Sequence, residues 1–251
     1  MLGKIRAIVV RLGLIAGLAA GGSAAGMADD ALSPAQKDAV NKLVHDYIME
    51  HPEVLVEALK DFDSRQQAVS DTARRQAVDD RRADLFNDPA APIAGNPKGS
   101  TTIVEFFDYR CPYCKGMAKD LSDLIDADHD VRFVYKEFPI LGPPSEYAAK
   151  AALAAQQQGK YRPFHEALFA YKGQLTNDVV LDVAGKVGLD TVRLQKDMER
   201  PEIAAEIKLN YEIATALKIN GTPGFVIGHS VVDGAMPIDK FKALIAQERK
   251  G

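Results

Sequence analysis

The strongest constraint on the fold of this 251-residue chain is a strand, helix, strand order near its middle. β-Branched and aromatic residues from 101 to 107 are typical of a buried strand, an amphipathic helical pattern follows, and residues 131 to 138 form a second strand pattern. Two strands joined by a helix in this way lie side by side in a parallel sheet. The sequence therefore predicts an α/β fold.

Cys111 and Cys114 are the only cysteines in the sequence, and they lie where the first strand becomes the helix. A disulfide between residues three apart removes little entropy from the unfolded chain, so the pair is poorly placed for stability. Cys111 falls at the start of the helix, where unpaired N–H groups stabilise a thiolate. Cys114 lies one turn further on and can attack a mixed disulfide formed by Cys111. Pro112 makes the turn rigid, and Tyr113 is in the dipeptide that tunes the redox poise.

A metal site is the alternative interpretation of the cysteine pair. Structural zinc needs four ligands, and the sequence has no second cysteine pair. The histidines are scattered, mostly in contexts that predict surface or helix-face positions: His45, His51, His129, His165 and His229. We therefore predict no metal and no other cofactor, although two-coordinate copper(I) remains chemically open.

The first 28 residues have the order of a secretory signal peptide, with basic residues, an apolar stretch from 12 to 20 and then small residues. Cleavage after Ala28 is predicted, with Ala25 as the alternative. An uncleaved anchor is the other interpretation, but the charge-free apolar stretch is shorter than the ~20 residues of a membrane helix. We expect a periplasmic protein without stable membrane insertion after cleavage, in a compartment where disulfides persist.

Residues 29 to 88 form a predicted N-terminal helical arm. Ser33 and Gln36 match a capping box, and Pro52 divides the arm into two helices. Each helix has an apolar face, the first with Val40, Leu43, Val44, Tyr47 and Ile48 and the second with Val54, Leu55, Ala58, Leu59 and Phe62. The arm is either a solvated linker or an oligomerisation stalk, and its periodicity favours the stalk.

A loop rich in proline and glycine, residues 87 to 100, separates the arm from a predicted catalytic domain of residues 89 to 251. Within that domain the sequence predicts a helical insertion at about 144 to 217, then a hairpin and a closing helix. The formal charge of −4 and the lack of long Lys/Arg runs argue against nucleic acid as a partner.

The segments Phe106–Lys115 and Gly221–Phe225, taken together, closely resemble the DsbA-like thioredoxin-fold family from about Pro92 onwards. This resemblance implies a thioredoxin fold with an inserted helical domain, preceded here by the helical arm. It also implies a redox-active Cys111–Cys114 dithiol that acts on cysteine-containing exported proteins and is reset by a membrane redox partner.

The same resemblance implies the roles of four further residues. Pro223 would be a cis proline beside Cys111, and Thr222 would offer its backbone to an extended substrate. Glu105 would be a buried acid that exchanges a proton with Cys114, and Lys136 would pair with Glu105. On strand pattern alone, Glu105 and Lys136 are also consistent with surface positions.

The arm, including His51–Leu55, resembles the subgroup associated with suppression of copper sensitivity. That resemblance implies a homotrimer that acts as a disulfide isomerase. A monomeric dithiol oxidase and a copper(I)-handling thiol protein are the alternatives.

Overall fold

A computed structural model describes residues 32–250 of the chain. The predicted signal peptide lies outside the described residues. The chain divides into two compact units, one ending at Leu59 and the other beginning at Lys60. Within residues 32–250, no helix combines the length and the apolar character needed to cross a membrane.

The N-terminal unit contains helix α1 (Pro34–Glu50) and the beginning of helix α2 (Glu53–Asp80). Ser33 caps α1 in the predicted capping box: its hydroxyl accepts the Gln36 N–H at 3.3 Å, and the Gln36 side chain accepts the Ser33 N–H at 2.9 Å. The two helices are separated at Pro52, as predicted. The apolar faces of both helices are solvent-exposed, with side chains such as Leu43 and Leu59 more than half accessible.

The larger unit is built on one mixed five-stranded sheet. Its strands are β1 (Ile93–Gly95), β2 (Thr101–Phe107), β3 (Val131–Glu137), β4 (Gly224–Ile227) and β5 (Ser230–Asp233), in the order β1-β3-β2-β4-β5. The pair β2 and β3 is parallel, and every other neighbouring pair of these strands is antiparallel. Helix α3 (Arg82–Phe86) precedes β1, and helix α4 (Pro112–Ala127) connects β2 to β3.

A run of helices separates β3 from β4 in sequence, although β4 pairs directly with β2 in the sheet. These helices cover the stretch where the sequence predicts a helical insertion. They are α5 (Pro143–Gln156), α6 (Tyr161–Ala170), α7 (Asn177–Lys186), α8 (Thr191–Met198) and α9 (Pro201–Ala216), and α10 (Ile238–Glu248) closes the unit. The strands on either side of the helices therefore belong to one sheet, as predicted.

The sheet buries side chains on both faces. Phe107 and Tyr135 belong to the core that also includes residues of α4 to α8, whereas Phe106 and Val134 belong to a second core with residues of α9 and the end of α2. Because successive strand residues point to opposite faces, the position of a residue in its strand decides which core it joins. This alternation determines the surroundings of the polar residues in β2 and β3.

Strand β1 is the main element that the sequence pattern misses. Residues 87 to 100 carry the prolines and glycines of a loop, yet three of them pair antiparallel with β3, Ile93 opposite Val134. A three-residue edge strand is too short to produce an alternating pattern, and it forms only because β3 offers an unpaired edge.

Candidate active site

Cys111 and Cys114 lie at the N-terminus of α4, directly after β2. Cys111 is the N-cap residue, Pro112 begins the helix, and both cysteines are free thiols. The two thiols are almost inaccessible to solvent, whereas the Tyr113 side chain between them is exposed. The strand-to-helix junction therefore places Cys111 at the positive end of the helix dipole, as the sequence predicts.

The loop before β4 brings Thr222 and Pro223 against the cysteine pair. The Thr222–Pro223 peptide bond is cis, and the Cys111 Sγ donates a hydrogen bond to the Thr222 carbonyl oxygen at 3.2 Å. The spacing of the glycines and prolines predicts only a turn here, and the family resemblance implies the cis bond. Because β4 pairs antiparallel with β2, the end of β2 lies beside the beginning of β4. Segments more than a hundred residues apart in sequence therefore meet at the cysteine pair.

Glu105 is a buried acid in β2, on the face of the sheet covered by α4. Burial raises its pKa to about 8, so the side chain is mostly neutral at pH 7. Burial, and secondarily the charge of Glu105, raise the pKa of Cys114. Glu105 also lines a cavity of about 350 Å³ together with Lys115, Phe133 and Tyr135. Glu105, the buried acid that the resemblance implies, therefore affects the pKa of Cys114, the second cysteine of the pair.

Lys136 does not form the expected pair with Glu105. It follows Tyr135 in β3, and Tyr135 is the residue in register with Glu105, so Lys136 points to the opposite face of the sheet. There its ammonium group contacts Asp88 Oδ2 at 2.5 Å and Glu206 Oε1 at 3.1 Å, and all three side chains are buried. The prediction of this pair was wrong because one step along a strand reverses the face.

We predict that Lys136→Met lowers the free energy of unfolding by about 3 to 5 kcal/mol, because it leaves two buried carboxyl groups without their cation. Chemical denaturation at neutral pH measures this change. Lys208→Met is the matched control, since the Lys208–Glu212 pair at 3.6 Å is largely exposed; a loss of less than about 1 kcal/mol is expected there. Equal losses in the two variants would contradict the role of Lys136 as a buried counter-ion.

A second buried polar cluster, which the sequence analysis does not predict, includes Tyr109 of the turn before Cys111. Glu137 Oε1 accepts hydrogen bonds from the hydroxyls of Tyr109 at 3.0 Å and Tyr161 at 2.8 Å. Burial raises the pKa of Glu137 well above its usual value. The cluster joins the turn before Cys111 to helix α6. Glu137 is the last residue of β3, and a carboxyl group at the end of a strand predicted to be buried is the sequence signal that could have identified it.

His165 belongs to this cluster and corrects an expectation about the histidines. Its Nδ1 lies 3.1 Å from the Tyr109 hydroxyl, and its ring packs edge-to-face on Phe107. Burial lowers its pKa to about 3, so it is neutral at physiological pH. His165 is thus a core residue. Its apolar neighbours at helical spacing, Phe164, Leu168 and Phe169, are the signal that identifies it. Within the described part of the chain, no group of three or more His, Cys, Asp or Glu side chains is arranged to hold a metal ion.

A cysteine pair at a helix N-terminus, a cis-proline loop against the first sulfur and a buried acid beside the second define a thiol–disulfide oxidoreductase of the thioredoxin fold. Comparison with known families agrees: residues 102–246 match the DSBA-like thioredoxin domain, and residues 36–68 match the copper resistance protein ScsC N-terminal domain. The chain belongs to the DSBA-like thioredoxin family, and the predicted resemblance is confirmed.

Solved structures extend this similarity to the helical arm. BcfH of Salmonella enterica Typhimurium is 31% identical, with 86% of this chain and 97% of that chain covered and a TM-score of 0.72. A Proteus mirabilis ScsC variant is 26% identical, with coverages of 89% and 99% and a TM-score of 0.68. A thioredoxin-like oxidoreductase from Silicibacter pomeroyi is 49% identical over 68% of this chain and 98% of that chain, with a TM-score of 0.66.

Curated relatives match about two thirds of the chain. Disulfide bond formation protein D of Bacillus subtilis is 26% identical over 175 residues, which is 64% of this chain and 78% of that protein. Na(+)/H(+) antiporter NhaA 1 of Salinispora arenicola is 27% identical over 161 residues, which is 63% of this chain but only 25% of the antiporter. The chain therefore spans about a quarter of the length of that relative.

Proposed function

We propose that this protein is an exported, periplasmic thiol–disulfide oxidoreductase that acts on cysteine-containing exported proteins. The observation that carries the proposal is the contact between Cys111 Sγ and the Thr222 carbonyl at the cis-proline loop, with Cys114 buried behind it. An extended substrate that pairs with the backbone of this loop would present its sulfur to Cys111. The side chain of Tyr113, between the two cysteines in sequence, is exposed and available to contact such a substrate.

The reaction begins with attack of the Cys111 thiolate on a substrate disulfide. The substrate S–S bond breaks, a mixed disulfide forms between Cys111 and one substrate sulfur, and the other substrate sulfur leaves as a thiolate. Cys114 then transfers its proton to the ionised form of Glu105 and attacks the Cys111 sulfur. This step releases the second substrate thiol and leaves a Cys111–Cys114 disulfide, so two electrons have passed to the substrate. A membrane redox partner would return the dithiol to its working state.

An isomerase uses the first step without completing the second. The substrate thiolate released by Cys111 attacks another disulfide of the same substrate and displaces a new substrate thiolate. A substrate thiolate then attacks the substrate sulfur of the mixed disulfide, and Cys111 leaves as a thiolate, so the enzyme is recovered with both thiols reduced. We propose that this is the main activity, because the arm resembles the ScsC N-terminal domain and carries exposed apolar faces suited to self-association. Several active sites on one oligomer would then engage one substrate.

The assay that separates isomerase from oxidase is the refolding of a scrambled multi-disulfide protein. The reduced protein should restore activity of the scrambled substrate, whereas a dithiol oxidase should instead form disulfides in a fully reduced substrate. Recovery no faster than with Cys111→Ser would remove the isomerase assignment and leave the monomeric oxidase as the better description.

We expect the N-terminal helical arm to hold the protein in a homo-oligomer, with a trimer favoured. Leu43 in α1 is 69% exposed and Leu59 in α2 is 62% exposed. Burying such side chains between copies is worth about 1.5 to 3 kcal/mol each, so Leu43→Glu should shift the protein towards monomer in light scattering. Val192→Glu is the matched control, because Val192 is 78% exposed on α8, outside the arm. A wild-type monomer would contradict the proposal.

Copper(I) handling is the second candidate, favoured by the match of residues 36–68 to a copper resistance protein domain. Two thiols one helical turn apart could bind copper(I) in two-coordinate geometry. Competition with a chromophoric copper(I) chelator measures the affinity, which should be lost in Cys111→Ser. Full exchange activity in chelated, metal-free buffer would leave copper as a secondary ligand.

A further inference from the structure

Asp108 occupies the turn that joins β2 to the cysteine pair, and its side chain is buried. Its Oδ1 accepts the Arg110 N–H at 2.7 Å, and its Oδ2 accepts the Leu141 N–H at 2.9 Å. Both carboxyl oxygens are therefore committed to backbone groups. One bond closes the turn before Cys111, and the other ties that turn to the segment after β3.

The backbone of Asp108 faces both cysteines. Its carbonyl oxygen accepts the Cys111 N–H at 3.0 Å. Its own N–H is directed at the Cys114 sulfur, a polar contact that lowers the pKa of that thiol and opposes the effects of burial and of Glu105. The two backbone polar groups of this one residue thus face the two cysteines, and its N–H is the one that affects the polarity around the Cys114 sulfur.

A second link joins the same two segments. The Arg110 guanidinium donates to the Leu141 carbonyl oxygen, so both backbone polar groups of Leu141 are bonded to the turn before Cys111. The Phe138 N–H also donates to the Phe107 carbonyl at 2.9 Å, which continues the β2–β3 pairing up to the turn. The turn is therefore held by side-chain bonds where the regular sheet ladder ends.

We propose that Asp108 is a positioning residue of the dithiol: its carboxylate fixes the turn from 108 to 111 and thereby aims the Asp108 N–H at the Cys114 sulfur. This inference rests on the proposed exchange chemistry. When Cys114 loses its proton to attack the mixed disulfide, this N–H donates to the developing thiolate. Donation by this N–H accelerates the release step, in which Cys114 attacks the mixed disulfide. The first attack, by Cys111, depends instead on the N-terminus of the helix.

The direction of the change in release rate distinguishes a positioning role of Asp108 from a direct effect of its negative charge. Asp108→Asn keeps one oxygen for the Arg110 N–H but turns an NH₂ group towards the Leu141 N–H, so one bond is lost. Removal of a negative charge would by itself favour the Cys114 thiolate and accelerate release. Loss of the bond loosens the turn and slows release. A slower release therefore cannot come from the change in charge.

The test follows the mixed disulfide of full-length protein with glutathione by rapid acid quench and mass spectrometry. We expect Asp108→Asn to slow glutathione release about tenfold, the size of effect of one hydrogen bond to a charged group. Asp108→Ala should slow release further, and alkylation of Cys111 in a Cys114→Ser background should change less than about twofold.

Asp130→Asn is the matched control. Asp130 also accepts two bonds from one neighbouring segment, the Ser100 N–H at 2.9 Å and the Ser100 hydroxyl at 2.5 Å, but in loops away from the cysteine pair. Thermal unfolding of every variant checks that it is folded. If Asp108→Ala does not fold, the release rate of Asp108→Asn alone tests the proposal.

Release at the wild-type rate or faster in folded Asp108→Asn would overturn the proposal. So would equal slowing of Cys111 alkylation, because that result indicates general loosening. Absence of any mixed disulfide in Cys114→Ser, which keeps the attacking sulfur and lacks the resolving one, would instead contradict the exchange chemistry itself, so the two failures are distinguishable.

Discussion

Replacing Cys111 by serine should reduce thiol–disulfide exchange by at least about a thousandfold, because an alcohol at this position is neither ionised at neutral pH nor able to form a disulfide. Insulin reduction with dithiothreitol as electron donor measures the rate. The fold should be unaffected, since serine is close in size to cysteine and the Thr222 carbonyl can accept its hydroxyl in place of the thiol. Circular dichroism and thermal unfolding provide that check.

Cys114→Ser is the matched control, since it keeps the attacking sulfur and removes the resolving one. It should accumulate mixed disulfides with substrate proteins that disappear on treatment with excess reductant. The two variants therefore separate attack from release. Comparable residual activity in Cys111→Ser and the wild-type protein would mean that another group performs the exchange, and the roles assigned to both cysteines would be wrong.

The second large effect concerns the pH dependence of stability and comes from Glu105. Burial raises the pKa of Glu105 from an unfolded value of 4.5 to about 8. Between these pH values the folded protein retains a proton that the unfolded chain has lost, so the free energy of unfolding falls as pH rises. The contribution is fully present below pH 4.5 and is lost by about pH 8, and its total is about 5 kcal/mol at 1.36 kcal/mol per pH unit.

Glu105→Gln should remove this slope, because an amide does not titrate. Denaturant unfolding at several pH values from 5 to 9 measures the difference, and at pH 9 the variant should be more stable than the wild-type protein by several kcal/mol. Glu199→Gln, at an exposed position after α8, is the matched control and should leave the profile unchanged. Parallel profiles for the wild-type protein and Glu105→Gln would show that Glu105 is ionised in the folded state.

The same substitution should slow the chemistry. Without a carboxylate, Cys114 must lose its proton directly to solvent, and general base catalysis of this kind typically contributes about 100-fold or more. Release of glutathione from the mixed disulfide should therefore be slower in Glu105→Gln, while the first attack by Cys111 should not change. Stability and rate would thus move in opposite directions at alkaline pH.

Local patterns were sufficient to predict most of the elements of the fold. The β-branched run of β2, the cysteine pair at the start of α4 and the proline that divides the arm each depend on residues close together in sequence. The physical causes are also local: side-chain periodicity, the conformational restriction of proline and helix capping. These elements were therefore accessible without tertiary information.

The partners of buried charges could not be obtained in the same way. Lys136 and Glu105 lie in the two neighbouring strands β3 and β2, and the family resemblance implies that they form a pair. The structure places them on opposite faces and gives Lys136 two acids from distant segments, Asp88 and Glu206. A one-residue difference in strand register decides between these outcomes, and only the pairing of β2 with β3 specifies that register.

Residues close together in the chain are sufficient to predict the proposed reactive centre, because the properties of a cysteine at a helix N-terminus arise within four residues. Long-range contacts complete that centre. The pairing of β2 with β4 brings Thr222 to Cys111, and the folding of the segment after β3 onto the turn at Asp108 fixes the backbone around Cys114. These contacts join residues that are 33 and 111 positions apart. They stabilise the site only after the sheet and the helices that cover it have formed.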